Sequence, residues 1–500
     1  MIPLSTETKA RVGNRITILI PARKYIMNLA WTEEKPMPAI ELFACRLLIL
    51  FERMLPLELR EFFGLSEREE EELLNSLEDK RLATLDHQGY LVPSPLLKGQ
   101  VGDGDGVPML VKYNEQTEHV VLDAFALSVR KEQRLSRLMF GLPELAMPES
   151  LKELGMDKII EEFGRQFRSY LEITRNNEHE RQRTQLYKVM GCSSSEVLQL
   201  AVDIEFTYLQ AKGEPKQFIR SVERLGPNQS RPLNSKLEAH IADFLGSNYI
   251  EEKGTDAETY CQLADDHILK PFVNGYRVDY SGWMHARDES KTGYGSPDTR
   301  GVFGPIYLVE NRRDALQWIR KTLHEHNDVT ELKALWMPSN VPLWGANSED
   351  IEHFVQGLKN ILEQRDSDAK VSLIHQGKKW DVSQYLINIF PYGLSTPLEL
   401  DRLELFVIPG IFGLIQYHGQ PNSDSGVSLP IGYMTKDPER IKSLELLFQS
   451  RIGDLSKLNS TWGNSGESKS PASERDLLPQ NWLTRTIIRC TTRPILSLNR

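Results

Sequence analysis

From about residue 255 onward, short apolar runs alternate with amphipathic helical stretches, and no other feature of the chain constrains its fold as strongly. Ile306–Val309 reads as a strand followed by a helix over Asp314–His324. Leu332–Met337 and Glu349–Glu363 repeat the pair, and Val371–His375 and Asp381–Phe390 repeat it again. Leu403–Ile408, Phe412–His418 and Leu429–Met434 then read as three strands, before a helix over Pro438–Ile452 with proline in its first turn. Such alternation calls for an α/β sheet with helices packed on it, here spanning residues 255–453.

The first hundred residues follow different rules. Ile16–Pro21 is a short apolar run closed by proline, a strand within an N-terminal segment 1–36. Ala39–Met54 has helical spacing, and Leu57–Phe63 is a short helix stopped by Gly64. Ser66 and Glu69 then have the spacing of a capping box, opening a helix that runs to Leu82 and buries Leu73, Leu74 and Leu77. Two short strands follow around a polar turn between Ala83 and Val92. Three helices and a hairpin in this order resemble a winged helix-turn-helix, over residues 37–98.

Gly99–Gly106 is a glycine- and aspartate-rich joint. Residues 107–250 read as a mixed, mainly helical region, with helices over Leu151–Ser169, Ser195–Leu209 and Lys236–Leu245 and a strand at His119–Leu122. Residues 454–500 read as a disordered linker with a basic tail. The expected fold class is therefore multidomain α/β and α+β: an N-terminal winged helix, a mixed helical middle and a C-terminal α/β sheet domain.

Sixty basic against seventy acidic residues leave a net charge of −10, so the molecule as a whole does not attract DNA or anionic lipid. A membrane span needs about 18 apolar residues in a row, and Ile40–Phe51 and Leu403–Tyr417 are both shorter and interrupted. No basic-then-apolar leader opens the sequence. The four cysteines are far apart and form no Cys-x-x-Cys pair, which suits buried thiols in a reducing compartment. These features point to a cytoplasmic protein with no membrane partner.

In a winged helix the helix after the turn would read DNA. Here Ser66–Leu82 carries seven acids and three bases, 3 − 7 = −4, with the acids crowded into its first turns. Such a surface repels phosphates instead of releasing their counterions. The C-terminal strands Phe412–His418 and Leu429–Thr435, followed by Asp437-Pro438-Glu439-Arg440-Ile441 and Leu447-Phe448, resemble a phospholipase-D-like domain. That resemblance implies a His-x-Lys-x4-Asp active site, yet none of the eleven histidines has lysine two residues on. A winged helix with such a non-catalytic domain is similar to transcription regulators of the TrmB type.

Other chemistries have thinner support. Asp298 and Glu310, with Arg312, fit a loose metal-nuclease pattern in which arginine replaces the expected lysine. His324 and His326 sit two apart and would point to different helix faces. No phosphate-binding loop, dinucleotide turn or nucleophile elbow occurs. Between Gly275 and Pro305, Tyr276, Arg277, Tyr280, Trp283, Arg287, Lys291 and Arg300 interleave aromatic and basic groups. That mixture suits stacking on single-stranded nucleic acid or burial against a protein partner. Arg485, Arg489 and Arg493 lie among isoleucines in a tail without acids, the composition of a docking peptide.

The sequence therefore favours a non-catalytic adaptor or accessory subunit in a bacterial complex that handles DNA, antiviral defence included by analogy of fold. Its expected partners are other protein subunits, with nucleic acid second; no catalytic residues, metal site or cofactor are assigned. A winged-helix DNA-binding regulator is the first alternative and a divergent metal-dependent nuclease the second.

Overall fold

The computed structural model describes residues 9–101, 109–133, 136–147, 154–210, 217–226, 229–289, 296–326, 331–347, 349–421, 426–453 and 458–463. The chain opens with β1 (Lys9–Pro36), a strand of 28 residues. The helices α1 (Ala39–Phe51), α2 (Pro56–Phe63) and α3 (Glu67–Asp79) follow, then the hairpin β2 (Ala83–Leu85) and β3 (Leu91–Pro93), and α4 (Pro95–Val101). β4 (Met109–Asp123), β5 (Val129–Arg130), the helices α5 (Met156–Arg165), α6 (Phe167–Thr174) and α7 (Glu178–Arg183), and β6 (Thr184–Gln210), β7 (Gln217–Gly226) and β8 (Gln229–Arg231) come next.

β1 pairs antiparallel with β4 on one side and β6 on the other, in a six-stranded sheet of order β5-β4-β1-β6-β7-β8. The described residues of 107–250 are thus not mainly helical, and the described part of 1–36 is not a separate segment. At Ser195–Leu209 two periods compete. Val197, Leu200, Ala201 and Ile204 fit a helical face, whereas Leu200, Val202, Ile204, Phe206 and Tyr208 repeat every second residue and are the ones buried. At about 3.3 Å per residue, β1 could span roughly 90 Å. Its inner half packs on the C-terminal body through Ile16, Ile18, Ile20 and Ala22. Its outer half carries Tyr25, Met27, Leu29 and Trp31 against α5 and α6. The inner half is buried on both faces, with Thr17 and Leu19 enclosed as well, whereas the outer half turns its odd-numbered face to the helices. The register shift against β6 between Arg23 and Tyr25 places the extra residue on β6, and β1 stays in unbroken register with β4 from Ala22 to Pro36.

At the outer end, β1 and β4 stay paired up to Pro36 and Met109. Residues between them leave and re-enter at that rung, and α1–α4 with the hairpin form a module with its own core of Ala44, Cys45, Leu48, Leu59, Leu73 and Leu77. The Ser66–Glu69 capping box is present, and Gly64 closes α2 in the left-handed conformation. Glycine fits there because a Cβ would crowd the backbone at φ 66°. The joint expected at Gly99–Gly106 begins later than predicted: residues 99–101 finish α4, and the rest lies outside the described residues.

The body contains α8 (Ser235–Ser247), α9 (Ala257–Leu263), β9 (Val273–Asn274), β10 (Arg277–Val278), α10 (Tyr280–Glu289), β11 (Thr299–Phe303) and α11 (Val309–Glu325). β12 (Lys333–Met337), α12 (Asp350–Glu363), β13 (Lys370–Gln376), α13 (Gln384–Ile389) and β14 (Tyr392–Thr396) follow. β15 (Leu403–Ile408), β16 (Phe412–Gly419), β17 (Leu429–Thr435), α14 (Pro438–Ile452) and β18 (Asn459–Trp462) complete it. Its sheet has eight strands among the described residues, in the order β11-β17-β16-β15-β12-β13-β14-β18. The chain is a multidomain α/β and α+β protein.

Two expectations fail locally. Ile306–Val309 is a turn leading into α11; the edge strand is instead β11, where Gly301 and exposed Arg300 hide the apolar signal. Residues 458–463 are ordered sheet, not linker: β18 pairs with β14, and Trp462 Nε1 donates to the Phe390 carbonyl at 3.0 Å.

Candidate functional site

The tip module combines two surfaces that a free domain does not need. α1 buries Ala44, Cys45 and Leu48 on its inner face. Its outer face carries Ile40, Phe43 and Leu50 with half-buried Leu47, and Leu50 is 72% exposed and Phe43 51%. Phe51, Leu57 and Phe62 extend this apolar surface towards α2, with Phe62 65% exposed. Exposed Arg46 stands among them with its guanidinium 5.9 Å from the Phe43 ring, and so much apolar area around one charge on a helix is normally enclosed. α3 opens with Glu67, Glu69 and Glu70. The Ser66 backbone amide and hydroxyl bond to the Glu69 carboxylate and hold it below the usual carboxylate range. Glu41, buried beneath, accepts from Ser76 Oγ at 2.8 Å and from Lys80 Nζ at 2.5 Å.

The aromatic and basic segment 275–305 is not one surface. Tyr280 and Trp283 belong to the core: α10 turns them inward, Tyr280 donates to the Leu429 carbonyl at 3.2 Å, and Trp283 stacks on Phe303 at 6.5 Å. Neither is available to stack on nucleic acid. Part of the segment folds into a helix, at whose start Asp279 accepts from the Gly282 amide. Arg277 is exposed on β10, and Arg300 pairs with Asp314 across the first turns of α11. Tyr276 lies at a cleft described below. Arg287 is on α10 with its side chain outside the described residues, and Lys291, Arg485, Arg489 and Arg493 also lie outside them.

The nuclease pattern does not assemble as expected, since Glu310 is in the first turn of α11 and not at a strand end, and Asp298 pairs with Lys436 at 2.9 Å. Among the described residues, no group of three or more His, Cys, Asp or Glu side chains could hold a metal ion. No helix among them is long and apolar enough to cross a membrane.

The chemically richest place is where β12, β13 and β14, running parallel, end beside the start of antiparallel β15. Glu404 on β15 is fully buried and accepts from Trp336 Nε1 at 2.8 Å, Trp344 Nε1 at 2.9 Å and His418 Nε2 at 2.5 Å. The other ring nitrogen of His418 meets Ser428 Oγ at 2.9 Å. With Nε2 donating to the carboxylate, a neutral ring accepts from the serine hydroxyl, the order of groups that activates a nucleophile. Here all three are buried and none lines the neighbouring cleft, so the relay's work is to satisfy a carboxylate inside the sheet.

That cleft, about 490 Å³, lies between the loops 249–254, 340–342 and 399–402. Arg402 forms part of its wall and donates to the Glu251 carbonyl at 2.7 Å, and Tyr276 lies over its guanidinium at 4.9 Å. Sequence reasoning passed over Arg402 and Glu404. The available signal was a charged pair beside and inside the apolar run Leu403–Ile408, since a charge in a strand covered on both faces needs built partners.

No family model matches the chain, and no curated protein matches it. Among solved structures, the phospholipase D family member Nuc from Salmonella typhimurium aligns at 9% identity and a TM-score of 0.21, over 33% of this chain and 98% of that one.

Proposed function

We propose that the protein is a non-catalytic adaptor or accessory subunit that docks other proteins through the module at the tip of its β arm. One observation carries this reading: the outer stripe of α1 leaves Phe43 and Leu50 in water on a helix whose other face is already buried. Contiguous apolar surface of this kind on a module held away from the main body marks an interaction site. The three helices and hairpin are read as a winged helix used for protein contact. Its acidic third helix opposes direct reading of DNA, because each glutamate adds repulsion where a DNA reader releases counterions. Membership of a DNA-handling or defence complex is the wider setting of the same proposal, by analogy of fold.

The test is co-purification of the tagged full chain from its own cells, against a Phe43→Asp/Leu50→Asp variant. A protein recovered in proportion with the wild type and lost from the variant supports the adaptor. Sequence-selective DNA binding that weakens with salt and survives the variant would favour the regulator instead. Magnesium-dependent cleavage abolished by Asp298→Ala or Glu310→Ala would favour the nuclease.

A further inference from the structure

We infer that the cleft beside β15 binds a small organic oxyanion, a phosphate or carboxylate on a body of about mononucleotide size, with Arg402 as its anchor. The inference is independent of the adaptor reading.

Arg402 is only 3% exposed. The other deeply buried arginines each face two carboxylates: Arg15 meets Asp350 and Glu205, and Arg130 meets Asp123 and Glu223. Arg402 meets none among the described residues. Its Nη2 donates to the carbonyls of Glu251 and Ile250 at 2.7 and 3.3 Å, its Nη1 lies 3.5 Å from Tyr417 Oη, and its buried Nε has no hydrogen-bond partner. Carbonyl oxygens and a ring face solvate a guanidinium without neutralising it, and a buried charge that is not neutralised is costly.

Of the three carboxylates on the cleft wall two are engaged elsewhere, and the third, Glu251, is exposed and gives Arg402 its backbone carbonyl. Asp401 accepts from the Thr255 amide at 3.0 Å, from Thr255 Oγ1 at 2.5 Å and from Arg451 at 3.2 Å, and Glu399 pairs with Lys253 at 2.5 Å. No described carboxylate pairs with Arg402, and the cleft, whose wall it forms, is the side from which a further counter-charge can reach it.

Position and size agree. Open α/β sheets bind ligands outside the carboxyl ends of their strands, and the cleft lies where β12 ends and β15 begins. Its volume of about 490 Å³ falls among small-molecule sites and exceeds what a simple inorganic ion fills. Tyr249, Val341 and Pro342 supply apolar wall for the body of the ligand, and Lys253 stands exposed at the mouth.

The test uses the purified full chain, with binding followed by calorimetry and thermal unfolding. The probes are adenosine monophosphate, uridine monophosphate, citrate and inorganic phosphate, each to millimolar concentration. At least one organic probe is expected to bind, with inorganic phosphate competing weakly if the anchor group is a phosphate and not at all if it is a carboxylate. Arg402→Gln should weaken that binding at least about tenfold, the loss of one charge-assisted contact. Lys253→Glu, on an exposed rim residue and so safe for folding, should weaken it several-fold and keeps the test decisive if Arg402→Gln does not fold. No binding by any organic probe, or binding unchanged in the variants that fold, would overturn the inference.

Discussion

Pro36 and Met109 face each other on the outermost described rung of the β1–β4 ladder. The chain therefore leaves the arm and returns to it across one interstrand spacing, about 5 Å, and the described residues between form the tip module. Its core residues make a cluster separate from those of the arm and the body.

Replacing residues 37–108 by an Asn-Gly turn should consequently leave the arm and body folded. A two-residue turn of this type suits an antiparallel ladder. The remaining protein should unfold cooperatively by circular dichroism, within a few degrees of the parent transition. Loss of cooperative unfolding would show that the module is part of the same folding unit.

Phe43→Asp, Leu50→Asp and Phe62→Asp, singly, should each change stability by no more than about 0.5 kcal/mol, as surface changes do. Leu48→Asp on the opposite face of α1 should destabilise the module severely, because it buries a charge without a partner. Urea titration of the four variants separates the faces. A comparable loss for Leu50→Asp and Leu48→Asp would place the outer stripe in the protein's own core.

Arg15 on β1 ties the arm to the body through Asp350 at the start of α12, while Glu205, its cross-strand neighbour on β6, holds it within the arm sheet. Arg312 also reaches Asp350, at 3.3 Å. Arg15→Ala should cost about 3–5 kcal/mol, the penalty of breaking a buried ion pair from one side. Arg15→Ala combined with Asp350→Asn should recover part of it. A single variant as stable as the parent would mean that apolar packing alone seats the arm.

Local signals made the tip module legible in the sequence and left the arm hidden. Gly64 and the Ser66–Glu69 box act within a few residues of where they stand, so they can be read without knowing the fold. The arm depends on partners far away in the chain. In β1 the inner half is buried on both faces and only the outer half alternates, so no single period runs the length of the strand. In β6 the outward residues include Val197 and Tyr187, which hide the two-residue pattern. The same non-local dependence concealed the cleft. Arg402 became notable only once Asp401 and Glu399 were seen to be engaged elsewhere, a fact about neighbours and not about spacing. Conversely, Tyr280 and Trp283 looked like contact residues because core and interface use the same aromatic side chains.

His375, at the end of β13, provides a pH-dependent element. Burial holds its imidazole below the usual value of 6.5. Nε2 meets Thr461 Oγ1 at 2.6 Å and the ring stacks on Trp462, so β18 depends on it. Because the folded pKa is depressed, the unfolded chain binds the extra proton first as pH falls. Stability is therefore retained above pH 6.5 and declines below it, by at most about 1.4 kcal/mol per pH unit for one group. The hydrogen-exchange protection factor of the Leu394 amide, on the strand beside β18, should fall between neutral pH and pH 5 more in the parent than in His375→Gln. Equal loss of protection in both would remove His375 from the account.

The central claim is that a protein partner covers the outer stripe of α1. Its most direct test is a photo-crosslinking amino acid placed at position 43 or 50 of the full chain in its own cells, with position 84 on the hairpin's exposed edge as reference. The account predicts a discrete covalent adduct to another protein from 43 and 50 and a much weaker one from 84. No protein adduct from either stripe position, or adducts only to DNA, would contradict it.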